Sequence, residues 1–280
     1  MPFIKKYGED FILQDNRIIL TKKYVEENKH RFAKITGSRL GEIMGLGEYA
    51  SPLKVWCSMV RIYKEDIDPI HANAGNIIES KIFNEVHLRL PHRFVSYDPI
   101  KIGFDMFKED PIFGGIPDGE PINLENAVDY NYGPMLEIKT SSVDKFLYKV
   151  VDEIPVLQKD QNDYPIVKEI GAKKASWFVN NELTIPKNYM LQLGLYLYLR
   201  NQTKGMFVVS FLDTKHYIDP NSYDPATADL WFQDFSVDLE KFKNVVYDPC
   251  KEWYKQHIET GISPELTPKD KKWFNIWINK

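Results

Sequence analysis

Apolar residues return at helical spacing between positions 72 and 90. Ile77, Ile78, Ile82, Phe83, Val86 and Leu90 mark one face of a long amphipathic helix. The run FILQDNRIIL at 11–20 predicts a hairpin turning at Asp15-Asn16. A polar helix is expected over 22–32. Ser38 is expected to cap a short helix ending at Met44. Ser51-Pro52 opens a further helix to about position 63, with proline in the first turn. Strands are expected over 94–104, 111–116 and 134–140. Residues 152–172 are polar, contain Pro155 and Pro165, and read as a loop insertion. An apolar helix follows at 189–199, then a buried strand at 205–212 and a late helix at 238–259. The tail carries Trp273 and Trp277. Helix, mixed strands, then helix and strand predict an α/β sheet with helices on both faces. No linker interrupts the pattern, so one domain over 1–280 is expected.

Composition narrows the picture. The formal net charge is −4. A protein binding nucleic acid through a broad basic surface is usually positive. Any such contact must come from a local groove, a bound metal or an encircling assembly. No run of 18 apolar residues predicts a membrane span. The start, Met1-Pro2-Phe3-Ile4-Lys5-Lys6, lacks a signal-peptide core. The two cysteines, Cys57 and Cys250, make neither a disulfide framework nor a metal-ligand set. A cytoplasmic protein with reduced thiols is the expectation.

Candidate chemistry sits in Gly114-Gly115-Ile116-Pro117-Asp118-Gly119 and Leu136-Glu137-Ile138-Lys139-Thr140. The pattern acidic-x-Lys is weak alone and recurs at Glu27-Asn28-Lys29, Asp213-Thr214-Lys215 and Asp270-Lys271-Lys272. Context separates them. Around Glu137 the text reads as a strand, so Glu137 and Lys139 share one face while Leu136 and Ile138 share the other. Two charged groups on a buried strand are costly unless something pairs with them. A metal and a phosphate would do so. Asp118 sits on a glycine-flanked turn that lets the backbone approach closely and aims one side chain. Mg²⁺ suits one or two carboxylates plus waters and phosphate oxygens. Asp118 and Glu137 supply the carboxylates, and Lys139 a compact positive charge beside the attacking water. Glu79 on the 72–90 helix is a candidate accessory ligand. Tyr189, Gln192 and Tyr196 fall on one face of the apolar helix, where a glutamine needs a hydrogen-bonding reason.

The order Gly-x-x-x-Glu (75–79), Pro-Asp-Gly (117–119), Glu-x-Lys (137–139) and Tyr-x-x-Gln (189–192) resembles the PD-(D/E)XK nuclease superfamily. More narrowly it resembles the lambda-exonuclease and YqaJ-type viral recombinase branch. The segment His30-Arg31-Phe32-Ala33-Lys34-Ile35-Thr36-Gly37-Ser38 is similar to the N-terminal part of that branch. The likeness spans about 30–215. It leaves a hairpin region at 1–29 and a helical extension at 220–280 outside.

The resemblance implies a restriction-endonuclease-like core, a mixed central β-sheet flanked by helices. It implies Asp118, Glu137, Lys139 and Gln192 as catalytic, and Asp118, Glu137, Ile138 and Glu79 as metal ligands. Arg31, Ser38 and Tyr189 would contact DNA, the first two at a 5′-phosphate. The implied cofactor is Mg²⁺, with Mn²⁺ as substitute. The implied activity is 5′-to-3′ digestion of duplex DNA ends in recombination or repair. A ring-shaped homo-oligomer and a single-strand annealing partner go with it. A PD-(D/E)XK endonuclease of restriction or repair type, and a nuclease-like scaffold that binds without cleaving, remain open.

Overall fold

A computed structural model describes residues 3–47, 50–64 and 69–278. At its centre the strand Met135–Ser142 runs parallel to Lys204–Leu212, which pairs antiparallel with Leu230–Ser236. Gly119 bridges to Leu136 on the open side of the first strand. The result is a small mixed sheet with helices on both faces, the expected fold class.

The alternation read from the sequence is what divides the core. Leu136, Ile138, Val208 and Leu212 face the long helix Ile70–Arg89 and pack on its Ala74, Ile78, Ile82 and Val86. Ile78, Ile82 and Val86 are fully buried, and each such side chain contributes about 1.5–3 kcal/mol. Met135, Phe207 and Val209 face the other way. There they join Leu193, Leu195 and Leu197 of the apolar helix Lys187–Leu199. Glu137 and Lys139 lie on this second face. Gly205 is packed tightly beneath that helix: a Cβ there would stand 2.8 Å from Leu193 Cδ2.

The hairpin Phe11–Gln14/Arg17–Leu20 forms as expected, with Asp15 and Asn16 at φ 48° and 63°. It is tied to the C-terminal region: Leu20 N–H donates to Gly261 O, and the Arg17 guanidinium to Ser263 O. Trp56 Nε1–H donates to His257 O, so the third helix joins the same assembly. Ser51 caps the helix Pro52–Met59 by accepting from Lys54 N–H.

Several expectations are corrected. Ser38 is not a cap: the helix Gly37–Ile43 starts one residue earlier, with Thr36 at its N-cap. The strand expected over 94–104 shrinks to Phe94–Val95. Asp98 caps a helical turn at Pro99–Ile102, which Gly103 ends at φ 71°. The strand at 111–116 shrinks to Phe113–Gly114. The supposed loop at 152–172 belongs to a β-arm. Tyr148–Val151 and Ile154–Leu157 make one hairpin, and Val167–Glu169 returns to Lys145–Phe146. The 22–32 helix is Lys22–Asn28 followed by a tighter turn, Lys29–Arg31. Ile77 is 38% exposed and leaves the apolar face assigned to it. The strand Leu230–Ser236 was not anticipated. Among the described residues no helix is long and apolar enough to cross a membrane.

Candidate active site

The site is assembled at the open edge of the central strand. Ile138 N–H donates to Asp118 Oδ2 at 2.7 Å, which draws the turn carboxylate against that edge. Alternation then sends the flanking Glu137 and Lys139 to one side. Lys139 Nζ lies 2.5 Å from Glu137 Oε1. Glu137 is fully buried; the Lys139 ammonium is the donor at its Oε1, and its Oε2 has no hydrogen-bond donor among the described residues.

Glu79 arrives from the long helix. The Asp118 charge acts on its carboxyl and opposes its ionisation. Three acids and one lysine therefore share a poorly solvated space. Burial, and then the Asp118 charge, pushes Glu79 up to about 7 and Glu137 up to about 8. Burial also raises Asp118, opposed by Lys139 and the Ile138 N–H. Burial alone would lower Lys139, but the Glu137 and Asp118 carboxylates outweigh it and hold the ammonium above its ordinary value.

The apolar helix closes the site from above. Lys139 Nζ stands over the Tyr189 ring at 5.2 Å from its centroid. One turn on, Gln192 packs on the backbone of Gly37, where a Cβ would come within 2.5 Å of Gln192 Cγ. Tyr196 is buried. Gly115, at φ 137°, makes room for that ring: a Cβ would lie 2.6 Å from Tyr196 Oη. Burial and the nearby Glu137 and Asp118 charges raise the Tyr196 phenol. Tyr196 was not among the expected site residues. Its signal was the shared helix face with Tyr189 and Gln192.

The structure thus brings together Glu79, Asp118, Glu137, Lys139 and Tyr189, with Gln192 between Tyr189 and Tyr196. Ile138 takes part through its backbone, since its side chain is buried on the opposite face. Arg31 and Ser38 are not brought into one pocket. Arg31 is exposed and lines a cleft of about 590 Å³ with Lys5, His30 and Arg61. Ser38 is not among its lining residues; it is exposed, with its hydroxyl 3.1 Å from Thr36 Oγ1.

Among the described residues no three His, Cys, Asp or Glu side chains already surround one point as a metal cage. A closed tetrahedral site of the zinc type is therefore not what this donor set offers. A buried carboxylate oxygen without a donor, Glu137 Oε2, fits a hard cation that keeps its own waters, which is how Mg²⁺ binds.

The neighbouring acid behaves differently. Glu120, also fully buried, receives Arg200 through Nε at 2.7 Å and Nη2 at 2.9 Å, and the hydroxyls of Tyr97 and Tyr130. Nothing in the sequence around Glu120 marked it as a buried, fully paired acid.

No family model matches the chain. It is 44% identical over 275 residues to a Mycoplasma genitalium protein described as "Uncharacterized protein MG373". It is 42% identical over 275 residues to the homolog in Mycoplasma pneumoniae, and each comparison covers 98% of both chains. The chain belongs to the MG373 family. Among solved structures, this MG373-family chain is similar to an alkaline exonuclease from Laribacter hongkongensis. The TM-score is 0.46 at 13% identity, over 84% of this chain and 92% of that one. The same exonuclease in complex with dAMP gives 0.41 at 10% identity, over 90% and 91%. Likenesses at this level carry no functional argument.

Proposed function

We propose that this protein is a Mg²⁺-dependent DNA nuclease that digests duplex ends in the 5′-to-3′ direction. The observation that supports this most is Glu137, a fully buried carboxylate whose Oε2 has no hydrogen-bond donor among the described residues, held beside Asp118 and Lys139. A buried acid of this kind is costly unless a cation completes it. Asp118 and Glu137 would hold the metal, with Glu79 and the Ile138 backbone as accessory groups. Bound there, Mg²⁺ supplies positive charge against a phosphodiester and lowers the pKa of a nearby water.

The chain's own groups do the rest. Lys139, fixed by Glu137 and the Tyr189 ring, places a permanent positive charge where negative charge builds on phosphorus-bound oxygens. Glu79, beside Asp118, adds a third acid to the rim of the cluster. Gln192 offers an amide to the bound strand.

The test is digestion of 5′-phosphorylated linear duplex against covalently closed circles, in Mg²⁺ and in EDTA. Mononucleotides are expected from linear DNA alone. Asp118→Asn and Lys139→Ala are each expected to lower the rate on the order of 10³-fold. Persistent cutting of closed circles would make the protein an endonuclease. No cleavage, together with no Mg²⁺-dependent rise in Tm, would end the nuclease reading.

A further inference from the structure

Past Lys139 the central strand continues through Thr140, Ser141 and Ser142 into a second cleft of about 430 Å³. Tyr189 joins the two spaces, since its ring faces Lys139 and also lines this cleft. His71 lies opposite, on the same helix as Glu79 and eight residues before it. At 1.5 Å per residue the two positions stand about 12 Å apart along the helix axis.

The cleft has its own chemistry. No acidic residue lines it, although the chain as a whole is acidic. Lys145 and Lys173 stand at its mouth, and neither makes an ion pair among the described residues. Its wall is aromatic. The His71 ring stacks on Phe146 at 6.0 Å and meets Tyr217 edge-on at 5.0 Å, while His71 Nε2 lies 3.0 Å from Tyr148 Oη. Phe146 and Tyr217 are buried and back the wall; the half-buried His71 and Tyr189 rings and the exposed Tyr148 ring line the cleft itself. Such rings beside lysines without an ion pair match a nucleotide: a base has a face to stack, and its phosphates need cations.

We propose that this cleft is a nucleotide-binding subsite that continues the metal site. It takes an unpaired base against its aromatic wall and the flanking phosphates on Lys145 and Lys173. Its assignment to a nucleic-acid strand rests on the nuclease reading, but its binding can be measured without cleavage.

The experiment uses the full chain in EDTA with a fluorescein-labelled single-stranded 12-mer, followed by anisotropy across a salt series. Lys145→Ala/Lys173→Ala is expected to bind on the order of tenfold or more weakly. Its slope of log affinity against log salt should be shallower by about 0.7 per lysine. A 12-mer with abasic positions should bind wild type on the order of tenfold more weakly. Lys173→Glu alone serves as a second variant, with the melting curve of each variant as a folding control.

Unchanged affinity and salt slope in folded variants, or no oligonucleotide binding by wild type, overturns the subsite. Equal binding of abasic and normal strands overturns the base-stacking role. Asp118→Asn separates the two readings. If it binds the 12-mer like wild type while wild type cleaves nothing in Mg²⁺, the nuclease reading fails and the subsite stands.

Discussion

Glu120 and Glu137 are both glutamates with no exposed surface, and both have a cation beside them. Glu120 is complete. An arginine grips it at both oxygens and two tyrosines fill the remaining lone pairs. Arg200 in turn lies over the Phe107 ring at 5.0 Å. Glu137 is incomplete. It has one lysine at Oε1 and, among the described residues, no donor at Oε2. Burial alone is therefore a poor sign of function. A buried acid whose hydrogen bonds are all made is architecture, and one left short of donors marks where a ligand belongs.

Removing one charge from each acid breaks or upholds this contrast. Glu120→Gln strips the carboxylate from a buried pair and leaves Arg200 without its partner. A loss of about 3–5 kcal/mol is expected by urea unfolding. Glu137→Gln relieves crowding among three acids, so unfolding of the metal-free protein at pH 8.5 should show no loss, while cleavage disappears. Equal destabilisation by the two substitutions would erase the distinction.

Metal is the next largest effect. Saturating Mg²⁺ is expected to stabilise the wild type by about 2.7 kcal/mol at a hundred times its Kd. Asp118→Asn should lose that gain, and Glu120→Gln should keep it. Thermal melts at matched ionic strength make the comparison.

The pH dependence sharpens the contrast further. Glu79 and Glu137 are raised to about 7 and about 8, so the folded state binds their protons more tightly than the unfolded state does. Their contribution is complete below the ordinary carboxylate range and is lost as pH rises through those values. The slope is at most about 1.4 kcal/mol per pH unit for each group titrating. Melts of metal-free protein should fall between pH 5 and pH 9, and Mg²⁺ should flatten the fall. A flat metal-free profile would show that these acids are solvated.

The smallest effect is at Tyr189. Tyr189→Leu removes the ring over Lys139, worth about 0.5–1 kcal/mol, so a rate lowered by a few-fold is expected with the melting curve little changed.

Much of the site was legible because short-range geometry carries it. Strand alternation put Glu137 and Lys139 on one face and Ile138 on the other. Helical spacing put Tyr189 and Gln192 together, and Gly-flanking marked Asp118. What escaped depends on distant partners. Glu120 reads like any acid until Arg200 arrives from the end of the apolar helix. The β-arm escaped because Val167–Glu169 pairs back to Lys145–Phe146 across polar, proline-containing text. The strand at 94–104 failed for a local reason, the Asp98-Pro99 helix start and Gly103 stop. Ser38 failed by two positions, since Thr36 has the extended backbone a cap requires.

By itself the amino-acid order determined the kinds of side chain available, their spacing, and the face of strand or helix each one takes. Those follow from steric periods of two and 3.6 residues that hold in any fold. Only the tertiary structure decided which acids lost their water, which of them found donors, and which ring came to rest over Lys139. Those outcomes depend on contacts between segments far apart in the chain, and no local pattern encodes the solvent that such contacts exclude.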